Sequence, residues 1–130
     1  MGQVDECKAA VMERTFTLPL PPSVNQLYPG KVRRHKSDAY YAWEKQAALH
    51  LKHQGLWPAE HRPTTHVWTL EIGCYLADRR RDIDNTLKSG IDFIASYFGL
   101  SDNYLDDIHI VRHTDKLHPH WTVKLSVEGA

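Results

Sequence analysis

The sequence predicts a single α+β domain in which a small, single-layer β-sheet carries two helices on one face. Three observations lead to this prediction. Residues 68–76 alternate between apolar and polar side chains, which is the period of a half-buried strand. Residues 84–98 repeat apolar side chains at helical spacing and precede Gly99, a residue type that commonly ends helices. A chain of 130 residues, 42% of them hydrophobic, has the size of one domain with a modest core.

The elements are expected in the order strand, helix, strand, helix, strand, strand. Residues 1–13 show little pattern and are expected to form a flexible tail before a domain that covers residues 14–130. The first strand is expected over residues 15–20, where a proline pair ends it because proline lacks a backbone donor. A turn-rich segment follows, and Ser37 or Asp38 is placed to cap the first helix.

Both helices are expected to turn one apolar face toward the sheet. In the first helix, which should end near Gly55, this face comprises Tyr40, Trp43, Ala47, Ala48 and Leu51. In the second it comprises Leu87, Ile91, Ile94, Ala95 and Phe98. Gly90 within the second helix costs about 1 kcal/mol relative to alanine, which indicates close packing against another backbone or a second subunit. The last two strands are expected over residues 108–112 and 121–127, each with one apolar face.

Charge is sorted along the chain although the formal net charge is zero, from 16 lysines and arginines against 16 acidic residues. A nucleic-acid partner would therefore have to be attracted by local charge. Basic residues form two runs, one made of Lys31, Arg33, Arg34, His35 and Lys36 and the other of Arg79, Arg80 and Arg81. Carboxylates gather at Asp82, Asp84, Asp102, Asp106 and Asp107. This sorting predicts a basic rim around an acidic centre.

The cysteines and the N-terminus indicate the compartment. Cys7 and Cys74 lie far apart and outside any CxxC spacing, which disfavours a disulfide scaffold and suits a reducing environment. The first residues lack the apolar core of a signal peptide, and no segment approaches the roughly 20 apolar residues of a membrane span. The sequence is therefore expected to be that of a cytoplasmic protein with no membrane partner.

Asp82 and Asp84 are the first candidates for chemistry. They lie two residues apart where a strand gives way to a helix, and alternate side chains of extended backbone point the same way. Lys88 lies on the same helical face as Asp84 and is suited to offset charge that develops on a phosphate. If the next strand lies beside the one that ends near residue 77, Asp107 reaches the same sheet edge. The three carboxylates are then suited to hold one or two Mg²⁺ ions.

Other interpretations of these residues stay open at this point. An isolated DxD pair is more often a solvated turn or a helix cap, and an arginine run is more often a solvated surface. The nine histidines show no HExxH or Cys-His spacing, which disfavours zinc, and no GxSxG motif supports a serine nucleophile. A sugar-nucleotide transferase that holds a diphosphate through DxD is a weaker alternative, because 130 residues leave little room for a nucleotide-binding domain.

Three segments resemble the RusA family of Holliday junction resolvases. They are LPLPPSVNQLY at residues 18–28, RRDIDNTLK at residues 80–88, and Leu105-Asp106-Asp107 before a strand, within a match that covers about residues 16–127. The resemblance implies a homodimeric, Mg²⁺-dependent crossover junction endodeoxyribonuclease. Such an enzyme binds four-way DNA junctions by their structure and nicks two opposed strands symmetrically during recombination and repair.

The resemblance also implies roles for individual residues. Asp82, Asp84 and Asp107 correspond to the metal-binding, catalytic aspartates, and Lys88 corresponds to the essential lysine. Asn25 corresponds to an asparagine after the proline turn, with a role in loop positioning or DNA contact. The basic residues expected to bind DNA are Lys31, Arg33, Arg34, Lys36, Arg80 and Arg81. The alternative is a protein that shields branched DNA without cleaving it and uses the aspartates as helix caps.

Overall fold

A four-stranded mixed β-sheet and two helices make up the fold in the computed structural model, which describes residues 11–23, 38–60 and 64–129. The strands are β1 (Val11–Pro19), β2 (Trp68–Leu76), β3 (Leu105–Thr114) and β4 (His120–Glu128). The helices are α1 (Asp38–His53) and α2 (Leu87–Phe98), and 3-10 turns at Ile83–Thr86 and Asp102–Tyr104 flank α2. The predicted α+β class is confirmed. Neither of the two described helices has the length and apolarity that crossing a membrane requires.

The strand order across the sheet is β1-β4-β2-β3. Strand β4 lies antiparallel between β1 and β2, whereas β3 is parallel to β2. The direction of β3 follows from α2, because this helix carries the chain from the end of β2 back to its beginning. Asp107 therefore lies beside Thr69 near the start of β2, and Thr114 lies beside Leu76 at its end.

Both edge strands are longer than the sequence indicates. Strand β1 begins at Val11, so residues 11–13, which the sequence assigns to a tail, pair with β4. Strand β3 extends beyond the expected residues 108–112 at both ends. Charged side chains such as Glu13 and Asp107 occupy exposed positions of these strands and interrupt the apolar alternation on which the sequence prediction depends.

One hydrophobic core lies between the sheet and both helices. The sheet contributes alternate residues, which in β2 and β4 are Trp68, Leu70, Ile72, Cys74, Leu76, Trp121, Val123, Leu125 and Val127. The buried helical residues in this core are Tyr40, Trp43, Ala47, Leu51, Phe93, Ile94, Ala95 and Tyr97. Because these residues form one cluster, the two helices cover the same sheet face.

The buried face of α2 differs from the predicted stripe. Phe93 and Tyr97 are buried, whereas Leu87, Ile91 and Phe98 are only partly buried. The cause is Gly90, which lies against the indole ring of Trp121. A Cβ atom at position 90 would overlap the Cζ3 and Cη2 atoms of Trp121 and lie 3.1 Å from Cγ of Pro21. Among the described residues, Gly90 therefore marks contact with a side chain of its own chain rather than with another backbone.

Replacing Gly90 by alanine is expected to destabilise the fold. The better helix propensity of alanine contributes about 1 kcal/mol, but overpacking a buried site costs roughly 1–3 kcal/mol, and the Trp121 ring has no exposed surface into which to move. Urea unfolding should show a net loss, whereas Ser96→Ala at an exposed position of the same helix should leave stability unchanged or raise it. Equal stability of the wild-type protein and Gly90→Ala would contradict this packing.

The two edges of the sheet differ in their hydrogen bonding. Gln54 covers the outer edge of β1, since its Oε1 accepts a hydrogen bond from the Thr17 N–H at 2.9 Å and its Nε2 donates to the Thr17 carbonyl at 3.0 Å. This side-chain amide takes the place of a neighbouring strand. The outer edge of β3 has no hydrogen-bonding partner in the described parts of the chain.

Candidate functional site

The DxD segment lies on the connection from β2 to α2. Asp82 has an extended backbone and precedes the 3-10 turn, in which Asp84 is the second residue, and both side chains are exposed. The carboxylate of Asp82 makes no capping hydrogen bond, and the residue at the N-cap of α2 is Thr86 rather than Asp84. Helix capping therefore does not account for these two carboxylates.

Arg112 on β3 holds the connection in place. Its guanidinium donates hydrogen bonds to the carbonyl oxygens of Arg81 at 2.7 Å and Asp78 at 3.4 Å. Within the connection, the Arg80 backbone N–H and guanidinium donate to the Asp78 carboxylate at 2.9 Å each, and these bonds lower the pKa of Asp78. The sequence analysis did not single out Arg112, since nothing in a linear pattern shows which carbonyl groups a strand arginine reaches.

Arg80 and Arg81, two of the expected DNA contacts, line a depression of about 350 Å³ at the end of β2. Its other lining residues are Leu20, Leu76, Ala77, Asp78 and Pro119. The side chain of Arg80 is 89% exposed although it is paired with Asp78, so its charge remains accessible to a ligand from solvent. The depression adjoins the connection that carries Asp82.

Lys88 is the second residue of α2 and forms an ion pair with Asp92, with 3.5 Å between Nζ and Oδ2. The Lys88 side chain is half exposed, whereas that of Asp92 is only 14% exposed. Lys88 and Asp92 are four residues apart on one face of α2, whereas Asp84 lies in the 3-10 turn that precedes this helix. Asp92 was missed by the sequence analysis, although its spacing from Lys88 is the usual signal for such a pair.

Asp107 does not reach this site within one chain. Leu76, the last residue of β2, lies seven residues beyond Thr69, the neighbour of Asp107, which corresponds to about 23 Å along the strand. The expectation that Asp107 lies at the same sheet edge as Asp82 is therefore wrong for a single chain, because β3 runs parallel to β2. No three metal-binding side chains among the described residues are grouped to hold an ion. The described residues of one chain thus do not complete a three-carboxylate site.

The proline turn is fixed to α2 close to Lys88. Ser89 is fully buried and its hydroxyl donates a hydrogen bond to the Pro22 carbonyl at 2.8 Å. On the other side of the basic run, the chain enters α1, where burial and the negative charges of Glu44 and Asp92 raise the pKa of Tyr40. The described segments that end at residue 23 and begin at residue 38 therefore both lie near the first half of α2. Asn25, Lys31, Arg33, Arg34 and Lys36 lie between these points and outside the described residues.

Cys74 belongs to the interior and not to the site. It is fully buried in β2, and burial raises the pKa of its thiol. A thiol held in its protonated form is a poor nucleophile. The residue therefore has a packing role between the sheet and α2.

No protein-family model matches this chain, and no curated protein is significantly similar to it. Function is therefore inferred from the residues of the chain itself.

Replacing Arg112 by glutamine is expected to loosen the β2–α2 connection, because the shorter side chain cannot reach both carbonyl groups. Hydrogen bonds from a charged donor are worth roughly 1.5–3 kcal/mol, so trypsin cleavage after Arg79, Arg80 or Arg81 should accelerate by about tenfold or more. Lys116→Gln, which removes an exposed cation in the β3–β4 loop, should cleave at the wild-type rate. An unchanged rate in Arg112→Gln would show that other contacts hold the connection.

Proposed function

We propose that this chain is a structure-specific endonuclease that resolves four-way DNA junctions by paired nicks, acting as a homodimer with Mg²⁺ as its cofactor. The observation that carries the proposal is the placement of Asp82, Asp84 and Lys88 on an accessible segment whose backbone is fixed by buried contacts. Accessible carboxylates that follow an arginine-lined depression in the chain, with a lysine at the start of the next helix, suit a phosphodiester substrate.

The exposure of the two carboxylates supports a ligand-binding role over a purely structural one. Neither Asp82 nor Asp84 forms an ion pair with a described residue, and neither caps α2. The segment that holds them is nevertheless anchored from three sides, by Arg112, by Thr86 in the core and by the Ser89 hydrogen bond. A fixed backbone with free carboxylates reduces the ordering cost of binding a ligand.

Local charge supports DNA as the substrate. Arg80 and Arg81 line the depression, and Pro22 and Tyr40, the former before and the latter after the segment 24–37 that contains the basic run, lie near the first half of α2. Since the net charge of the chain is zero, affinity for DNA must come from these clustered cations. Binding should therefore weaken strongly with salt as counterions are released from the phosphates.

Mg²⁺ is proposed from the carboxylate chemistry and the family resemblance. Asp82 and Asp84 supply hard oxygen ligands, but Asp107 of the same chain is too distant to join them. The donors described in one chain are therefore incomplete for a three-carboxylate site.

The first test is cleavage of a synthetic immobile four-way junction by the purified protein in the presence of Mg²⁺. Symmetric nicks in two opposed strands are expected. Asp82→Asn should reduce the nicking rate by at least about 100-fold, equivalent to roughly 2.7 kcal/mol in the barrier, because it removes one anionic oxygen from the site. Glu128→Gln, an exposed acidic residue at the end of β4, should cleave normally. Junction binding without products would favour the non-cleaving DNA-binding protein instead.

The second test separates binding from cleavage. Lys88→Ala should lower junction cleavage by about 100-fold while changing the dissociation constant less than about threefold, because a single lysine beside the reacting phosphate acts mainly in the transition state. Joint replacement of Arg33 and Arg34 by alanine should instead weaken binding first and reduce the salt slope by about 2. Lys52→Ala on the exposed side of α1 serves as the control for loss of a lysine. Equal losses of binding and cleavage in Lys88→Ala would contradict this division of roles.

A further inference from the structure

Within the described residues, the outer edge of β3 is a long strand edge without a pairing partner. Ten residues form β3, and in the described structure they pair with β2 alone. Ile108 and Val111, whose side chains project from opposite faces of the strand, are 38% and 42% exposed. An edge strand with unpaired backbone groups and exposed apolar side chains is a template for pairing with another strand. The opposite edge of the sheet lacks this property where Gln54 bonds Thr17.

The charges along β3 favour a second copy of the same strand as the partner. Asp106 and Asp107 lie at its start, whereas Arg112 and His113 lie near its end. Antiparallel pairing of two identical strands places the acidic start of each beside the basic end of the other, where a carboxylate can accept a hydrogen bond from an imidazole or guanidinium N–H. Parallel pairing would instead place like charges together. The strand is thus complementary to itself in one direction only.

We propose that two copies of this chain associate by antiparallel pairing of their β3 strands about a twofold axis at Ile110. This pairing would form the interface of the homodimer in the proposed function. Only the consequence of the pairing for DNA cleavage rests on that function. It opposes Asp107 to His113, Ile108 to Arg112 and His109 to Val111. The two sheets join into one of eight strands, in which each opposed pair shares a face.

The register follows from the same residues. A twofold axis at Val111 would oppose His109 to His113 and leave Asp107 without a basic partner. An axis at His109 would draw Asp106 into the pairing, where the irregular register between Trp68 and Thr69 interrupts the strand. An axis at Ile110 uses only the regular residues from Asp107 to His113.

This pairing also changes where the third candidate carboxylate lies. The end of β3 adjoins the end of β2, as shown by the pairing of Thr114 with Leu76 and by the 2.9 Å hydrogen bond from the Asp115 N–H to the Leu76 carbonyl. The start of the second copy's β3 lies beside this end. Its Asp107 therefore comes to the sheet end from which the Asp82 connection departs, on the face that carries His113, so that two chains together bring all three carboxylates to one end of the sheet.

Charge reversal tests the interface without reference to activity. Sedimentation analysis at micromolar concentration should show a wild-type dimer. Asp107→Lys should raise its dissociation constant by at least about tenfold, because it places a cation opposite His113 and near Arg112. The combined change Asp107→Lys with His113→Asp should restore dimerisation by exchanging the acidic and the basic partner. Glu128→Lys, on β4 and separated from β3 by strand β2, is the matched control.

Two results of this experiment would overturn the proposal. One is a wild-type monomer, which would mean that another segment or a different partner covers β3. The other is a dimer that Asp107→Lys weakens no more than the control does.

Disulfide trapping tests the register. In a Cys7→Ser background, Ile110→Cys should form a covalent dimer under mild oxidation, because the two copies of residue 110 oppose each other across the axis. Leu117→Cys, an exposed residue of the β3–β4 loop, should remain largely monomeric under the same conditions. If Ile110→Cys does not fold, a mixture of His109→Cys and Val111→Cys should cross-link more than either variant alone. Absence of both cross-links would overturn the axis at Ile110.

Mixing inactive variants tests whether the carboxylates are shared. In a mixed dimer of Asp82→Asn and Asp107→Asn chains, one site receives both native residues if the site is shared, so junction nicking should recover to a measurable fraction of wild type. If each chain forms its own site, both sites stay damaged and no recovery occurs, which would overturn the shared site. If the wild-type dimer does not nick junctions at all, the proposed function fails, while sedimentation and cross-linking still decide the interface.

Discussion

The contact between Gly90 and the Trp121 ring is the constraint on which the rest of this structure depends. It brings α2 against β4 and sets the rotation of the helix about its axis, so that Phe93 and Tyr97 enter the core. With the rotation fixed, Asp84 and Lys88 are left on the accessible side. The same close approach positions Ser89 to bind the Pro22 carbonyl, which ties the proline turn to the first turn of α2.

The position of α2 also determines the direction of β3, and with it the distribution of charge over the sheet. A helix that runs back along the sheet delivers the chain to the start of β2, so that the next strand is parallel. The carboxylates that follow β2 and those that open β3 then lie at opposite ends of the sheet. This separation is a property of the crossover itself, and substitutions within the connections would not remove it.

The sequence predicts those parts of the fold in which the hydrophobicity of each side chain matches its burial. The alternation in β2 marks a strand with one buried face, and that prediction is confirmed by its buried residues. The face of α2 was predicted less well, because Leu87 and Ile91 have the hydrophobicity of core residues while Gly90, the residue in closest contact with the sheet, has none. The partner of a glycine contact is set by tertiary packing.

The positions of Arg112 and Asp107 show the same limit for the candidate site. That Arg112 binds two carbonyl groups of the β2–α2 connection depends on which strands are neighbours, and no local pattern contains this information. The placement of Asp107 was available in principle, since a strand–helix–strand unit with short connections implies parallel strands. Applying that rule moves Asp107 to the start of β2, which is where the structure has it.

The twofold symmetry of the proposed β3 interface bears on how two DNA strands could be cleaved. With a twofold axis at Ile110, the ends of the two β3 strands at Thr114 lie four residues to either side of it, or about 26 Å apart along the strand direction. Each of these ends adjoins one Asp82 connection and one arginine-lined depression. A twofold pair of identical sites presents the same chemistry to two strands of opposite direction, which is what symmetric nicking of opposed strands requires. For a chain of zero net charge, the proposed pairing would also double the clustered cations available to the proposed DNA substrate, without any change in the composition of either chain.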